Sequence, residues 1–468
     1  MFTPRVGPKY TLKQSRREFL NMAGRLSIAG SAAPFAMNLA GIGSAAAQTV
    51  SDYKAVVCLF LYGANDHNNT VIPFDAANYA TYQTVRPGIA RATTDLVQLT
   101  PSTPLTGNNA GRQFALPTEL LPLKSIWDEG KLAVLANVGP LIVPTTKAQY
   151  TAASVPLPPK LFSHNDQQSV WQASAPEGAR AGWGGKMGDL MAANNSAQIF
   201  TCNSVAGAAV FITGGTTIAY QLSTSGSTPI GGLTGTLFGS ATAPATLRNL
   251  ITGGGINLFT QDLADTTQRS IDANAQLSSA LASAPDLPLP STLTGSSLAA
   301  QLRLVARMIS QRNTLGAKRQ VFMVSLGGFD THDDQIPTQP NLHTQLGNAI
   351  KYFYDSMKTL GVSNSVTLFT ASDFGRTLSS NGDGSDHGWG SHHFVVGGSV
   401  LGQRYYGSFP VMGLNNNDEV GSGRLLPTTS VDQFAATLAR WFGVSESNLE
   451  LVVPNLRNFS NTNIGFMA

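Results

Sequence analysis

Nine residues, "SDHGWGSHH" (385–393), hold three of the chain's seven histidines and an aspartate, spaced by glycines and a tryptophan. The other four histidines are placed just as selectively. His67 lies in "LYGANDHNNTVIP", His164 in "LFSHNDQQSVWQ" and His332 in "SLGGFDTHDDQ", with His343 a few residues beyond. Aspartates accompany them: Asp66, Asp330, Asp333, Asp334, and Asp373 in "FTASDFGRT". Carboxylate and imidazole together suit a borderline divalent metal such as zinc or manganese, and the expected cofactor is one or two ions of zinc, manganese or calcium. The scarcity of cysteine, two in all, argues against a closed structural zinc site. Glycines beside these residues (Gly63, Gly327, Gly328, Gly375, Gly388, Gly390) permit tight loops and close approach of a ligand. Any one of the aspartates or histidines also reads as a turn former or a helix cap. It is their joint placement that points to a metal or active site.

The elements that must position them follow from the apolar patterning. Strands are expected at 54–63, 131–139, 197–202, 319–328, 365–372 and 392–398, all short, nearly continuous apolar runs. Such runs suit a parallel sheet covered on both faces, not a half-exposed one. Amphipathic helices are expected at 295–313, 342–361 and 431–444. The fold class is therefore α/β, a doubly wound, mostly parallel sheet flanked by helices. In such a sheet the loops after the strand ends gather at one rim, where ligands bind. Most of the histidines and aspartates above fall in those loops.

Composition bounds the rest. With 468 residues, 42% of them hydrophobic, the chain can bury a large core. Its net charge of +3 is uneven. Residues 1–47 carry six basic residues and one acidic, while the remainder carries 24 basic and 26 acidic. That remainder offers no basic footprint for nucleic acid. Tandem arginines in "SRREFL" (15–20), an uncharged run from Leu26 to Ser51 and the small-residue site at 45–47 read as a twin-arginine export signal over residues 1–47. The expectation is cleavage near Ala47, passage through the twin-arginine machinery, a periplasmic or secreted protein, and no permanent membrane anchor, since Pro34 and the Ala/Gly/Ser content make this run a poor span. Residues 48–468 are expected to form a single domain.

Residues 203–295 differ, being rich in Gly, Ser, Thr and Ala. Phe211, Ile218, Tyr220, Leu222 and Phe238 argue against a disordered linker, so this stretch is read as an insertion capping the core, with one helix near 257–284. Cys58, inside an apolar run, reads as a buried thiol more readily than as half of a disulfide with Cys202.

The motifs "LYGANDHNNTVIP", "GGFDTH", "SDFGRT", "DHGWGSHH" and "ATLARWFGV", in this order over nearly the whole of residues 48–468, resemble the DUF1501 family, which in turn resembles the alkaline phosphatase and sulfatase superfamily. The resemblance implies an alkaline-phosphatase-like domain and one or two divalent metals. It implies hydrolysis of a phosphate or sulfate ester, with an anionic small molecule or polymer as substrate. Residue by residue, Asp66 matches the first-strand metal aspartate and Asp330 and His332 an Asp/His metal pair. Asp373 matches the aspartate of a later pair whose histidine is here Phe374, a departure from the two-metal pattern. His387 or His392 matches the final metal histidine. Ser163, ahead of a helix, matches the nucleophile, with Thr70 a second candidate, and Arg376 is suited to grip the anion. Ser163 reads equally as an ordinary helix cap, and Arg376 as a salt-bridge partner. The alternative to an enzyme is a non-catalytic periplasmic binding protein, with one metal or none, that kept the fold.

Overall fold

The computed structural model describes residues 50–255 and 257–468. The export-signal stretch, 1–47, lies outside the described residues. In chain order the strands are β1 (Lys54–Leu61), β2 (Ile72–Pro73), β3 (Leu96–Gln98), β4 (Phe114–Pro117), β5 (Leu132–Gly139), β6 (Cys202–Ser204) and β7 (Tyr220–Gln221), followed by β8 (Arg319–Leu326), β9 (Val366–Ser372), β10 (Arg376–Ser380), β11 (Ser385–His387), β12 (Ser391–Gly397), β13 (Arg404–Tyr406) and β14 (Thr429–Ser430). Nine of them form one sheet in the order β13-β5-β12-β9-β1-β8-β6-β7, with β14 also pairing in parallel alongside β5. Strands β2, β4 and β3 make a small side sheet, and β10 with β11 a hairpin.

The main sheet is mostly parallel. β1 pairs in parallel with both β8 and β9, from Cys58↔Met323 on one side to Cys58↔Phe369 on the other. β12 is antiparallel to both of its neighbours, β9 and β5. A continuous apolar run such as "FVV" is buried on both faces whichever way it points, so composition signals the strand and not its direction. The run expected as a strand at 197–202 is a 3-10 turn at Gln198–Phe200, and pairing with β8 begins only at Cys202.

Side chains of a strand alternate between faces, and the sheet has a core on each. Val57, Leu59 and Leu61 enter one, with the helices Leu121–Asp128, Ser297–Ser310 and Gln335–Thr359 over them. Val56, Cys58 and Phe60 enter the other, under His164–Ala173, Trp183–Met191 and Val431–Phe442. Each fully buried Val, Leu or Phe contributes about 1.5–3 kcal/mol of transfer free energy. The helix Val431–Phe442 shows how locally these elements are specified. Ser430 and Gln433 close a capping box at its start, and Gly443 ends it at φ 114°, a left-handed conformation that glycine adopts without strain. Cys58 and Cys202 are free buried thiols.

Within 203–295 two helices, Ala243–Thr252 and Leu258–Ala282, pack against each other. The longer one buries only Ala264, Ala273, Leu277, Ala280 and Leu281. Among the described residues no helix is long and apolar enough to cross a membrane.

Candidate metal centre

The loops after β1, β8 and β9 meet where the hairpin β10–β11 and the first turn of the helix His164–Ala173 come together. Gly63 makes this approach possible. Its φ is 104°, and a Cβ there would lie 2.5 Å from the backbone nitrogen of Asp330. Gly384 in the hairpin turn is equally constrained, since a Cβ would sit 2.1 Å from the carbonyl oxygen of His332. Any side chain at either position would force the loops apart.

Three imidazoles and one carboxylate converge in that space. His387 Nε2 lies 3.0 Å from His164 Nε2 and 2.9 Å from His332 Nε2. Asp330 Oδ1 is 3.5 Å from His164 Nε2, 3.3 Å from His332 Nε2 and 3.5 Å from His387 Nε2. His164, Asp330 and His387 can each offer one donor atom within 4.8 Å of the other two. His332 joins at the open side, where it and Asp330 are the more exposed members.

The other nitrogen of each ring is held by an acceptor. His164 Nδ1 is 2.5 Å from Asp373 Oδ2, His332 Nδ1 is 3.2 Å from Asp386 Oδ1, and His387 Nδ1 is 2.7 Å from the carbonyl of Phe162. A carboxylate or carbonyl can only accept, so Nδ1 carries the hydrogen in all three rings. A neutral imidazole protonated at Nδ1 presents a lone pair at Nε2. The lone pair of His387 Nε2 faces that of His164 Nε2 and that of His332 Nε2 at about 3 Å, and each pair repels unless a proton or a cation lies between them. A tetrahedral cation with bonds of about 2.0–2.1 Å spaces its ligands about 3.3 Å apart, close to the distances from Asp330 Oδ1. The donor chemistry therefore fits zinc or another borderline divalent ion. Carboxylate or carbonyl partners on the outer ring nitrogens are what such ligands require for a fixed tautomer.

Electrostatics tune the set. The hydrogen bond to Asp373 raises the pKa of His164 against the opposing effect of burial. Burial, with the neighbouring His164, lowers that of His387. Burial tends to raise Asp330, but the charge and hydrogen bond of Arg376 prevail and keep it ionised below the usual range. Phe374, buried, packs its ring 4.8 Å from both His164 and His387 and so fixes the two rings from one side.

Asp330, His332 and His387, expected as metal ligands, are brought together. Asp373 contributes through His164, and its Oδ2 also accepts from Gln168 Nε2 and Gly63 N, while its buried Oδ1 has no partner among the described residues. His164 is the member that motif reading passed over, choosing its neighbour Ser163 as nucleophile. The available signal was a histidine at a helix start in a chain with so few histidines.

Other expected residues are engaged differently. Asp66 is buried in an ion pair with Arg86 and also accepts from Gln335 Nε2 and Asn68 N, so its oxygens are already engaged away from the cluster. His392 is buried against His67 and Phe409, with Nδ1 accepting from Asn137 N. Arg376 is turned into the loop backbone. Its guanidinium is fully buried and donates to the carbonyls of Gly63, Ala64, Phe329 and Ser385 and to Asp330. It holds the loops and the Asp330 carboxylate in place. Ser163 begins the helix, but its Oγ donates to Asp166 Oδ2 at 2.9 Å instead of capping. Thr70 is buried and bonded to Asp66 O.

Residues 252–452 match the family model described as "Protein of unknown function (DUF1501)", a stretch that includes Asp330, His332, Asp373 and His387 but not His164. No curated protein matches the chain in sequence. Among solved structures the chain is similar to Ps i-CgsB in complex with k-i-k-neocarrahexaose, at 9% identity over 87% of this chain and 77% of that one, with a TM-score of 0.38. It is similar to PsFucS1 sulfatase from Pseudoalteromonas sp., at 9% identity over 88% and 71%, with a TM-score of 0.33. It is also similar to the alkaline phosphatase from the Antarctic bacterium TAB5, at 11% identity over 76% and 95%, with a TM-score of 0.27.

Proposed function

We propose that the chain is an exported metal-dependent hydrolase of phosphate or sulfate esters, with its ion held by His164, Asp330, His332 and His387. The observation that carries the reading is the convergence of three Nε2 lone pairs and one carboxylate at a solvent-reachable rim, each imidazole fixed through its Nδ1. A divalent cation bound there would supply Lewis acidity and offset charge developing on an ester oxygen. Asp373, Asp386 and the Phe162 carbonyl keep the ring hydrogens on Nδ1, and Arg376 keeps Asp330 ionised and oriented. Ser163 directly precedes His164, and its hydroxyl already donates to Asp166. That carboxylate is placed to take the proton as Oγ bonds to the phosphorus or sulfur and the ester's alkoxide leaves, to be protonated by water. A second water would then cleave the seryl ester and return Ser163. Export rests on the arginine pair and the uncharged run that follows it.

Burial of Arg376 favours a second reading, a binding protein that kept the metal and lost the chemistry. Metal content by elemental mass spectrometry, with hydrolysis of 4-nitrophenyl phosphate and 4-nitrophenyl sulfate, separates the two. The enzyme reading expects stoichiometric metal and turnover that disappears in Ser163→Ala with the metal retained. Stoichiometric metal without turnover of any ester selects the binding protein. A protein that takes up no metal sinks both.

A further inference from the structure

With Arg376 occupied by backbone carbonyls, the cluster needs another cation to hold an anionic group, since the carboxylates of Asp330, Asp373 and Asp386 all touch its histidines. We infer that Arg424 is the residue that seats the substrate's tetrahedral oxyanion, an inference that rests on the ester-hydrolase reading above. Arg424 is tied to two residues that build the metal centre. Its Nε donates to the carbonyl of His387 at 3.1 Å, and its guanidinium lies 5.0 Å from the ring centroid of Phe162, whose own carbonyl holds His387 Nδ1. Nη1 donates to Gly421 O at 3.3 Å. Nη2 has no hydrogen-bond partner and Arg424 no ion pair among the described residues, although the side chain is only half-buried. One edge of a planar fork suited to phosphate or sulfate is thus left unused beside the metal ligands.

The backbone beneath it is rigid. Glu419, buried, accepts from the amides of Gly421 (2.6 Å) and Gly423 (3.0 Å) through Oε2, and from Asn415 N and Lys147 Nζ (both 3.1 Å) through Oε1. Gly421 and Gly423 both take positive φ, 111° and 73°, so the turn that delivers Arg424 is specified by its glycines. Phe162 itself sits at φ 71°, held between Arg424 and His387. A guanidinium pinned through Nε and Nη1 loses little further freedom when Nη2 binds a ligand, the arrangement expected of a preorganised anion seat.

The test is calorimetric titration of inorganic phosphate into the whole protein, both chelator-stripped and zinc-loaded, for wild type, Arg424→Gln and Arg424→Lys. The expected result is a Kd for phosphate raised at least tenfold in Arg424→Gln and less in Arg424→Lys, with zinc content unchanged in both. Wild-type affinity in Arg424→Gln, or no phosphate binding by the wild type, overturns the assignment. Loss of zinc in Arg424→Lys together with loss of phosphate binding also overturns it, because Arg424 would then serve only to hold His387. Failure of the hydrolase reading is seen separately, as absent zinc or absent turnover, while the stripped protein still reports whether phosphate affinity depends on Arg424.

Discussion

Asp373 and His164 are joined by a 2.5 Å contact between a fully buried carboxylate and a helix-start imidazole. The same oxygen accepts from Gln168, one turn further along that helix, so the helix is docked to the strand-end loop through a single atom. This arrangement makes Asp373 a positioning residue for His164 in the proposed metal centre.

Replacing Asp373 by Asn keeps the shape but permits the amide to present its NH2 group to His164, which would turn the ring hydrogen away from Nδ1. Partners of this kind change metal affinity about 10–100-fold. The expected outcome is a folded Asp373→Asn protein whose zinc affinity, measured by chelator competition, falls within that range. Unchanged affinity would remove Asp373 from the site.

The contrast between two aspartates gives a second prediction. Asp330→Asn should lose the metal and unfold at a similar denaturant concentration to the stripped wild type. Asp66 is paired to Arg86 with both side chains fully buried. Arg86→Leu should therefore leave an unpaired buried charge and cost about 3–5 kcal/mol in urea unfolding. Asp66→Asn should destabilise the protein while retaining its zinc. Zinc lost in Asp66→Asn with the fold intact would return Asp66 to the metal centre.

Metal removal should destabilise the folded protein, because an ion held by this cluster would bind ligands assembled only in that state. At a free zinc concentration 100 times Kd the stabilisation is about 2.7 kcal/mol. The thermal midpoint should fall on adding chelator, and His387→Ala should show no chelator response. A chelator-insensitive wild type would count against a bound ion.

The buried histidines set the response to acid. His67, His343 and His393 are held neutral by burial, with pKa values pushed down to about 3 from 6.5. A folded value below the unfolded one means that stability is full above pH 6.5 and is lost as pH falls from there toward 3, because only the unfolded chain takes up the proton. Each such residue contributes a slope of about 1.4 kcal/mol per pH unit in that window. Both ring nitrogens of His393 lack partners among the described residues, and its ring stands edge-on to Trp171. His393→Leu should reduce the slope by one proton in urea unfolding at pH 4–7, with little loss at pH 7. An unchanged slope would mean that His393 is protonated in the folded state.

Much of this was readable in the residues. Asp330, His332 and His387 declared themselves because rare titratable side chains stood beside glycines at strand ends, and β1, β8 and β9 are apolar enough to be read directly. What escaped was set by tertiary partners. Nothing local to Asp66 tells that Arg86 and Gln335 will engage it, nor that Arg376 will spend its donors on loop carbonyls. His164 was overlooked for Ser163 because a hydroxyl at a helix start suggests chemistry more readily than an imidazole does. The helix expected from 342 begins at Gln335, the start having been placed after Pro340, which a tertiary-packed helix tolerates.

His164 and His387, whose Nε2 atoms lie 3.0 Å apart, are separated by 223 positions in the chain. At a synthesis rate of roughly 5–20 residues per second, the second reaches the ribosome's exit roughly 10–45 s after the first. A compact metal motif can capture its ion as soon as a short hairpin emerges. An ion held by this cluster would be taken up late, by a chain whose main sheet has already brought its strand ends together, so loading would report completed folding instead of directing it.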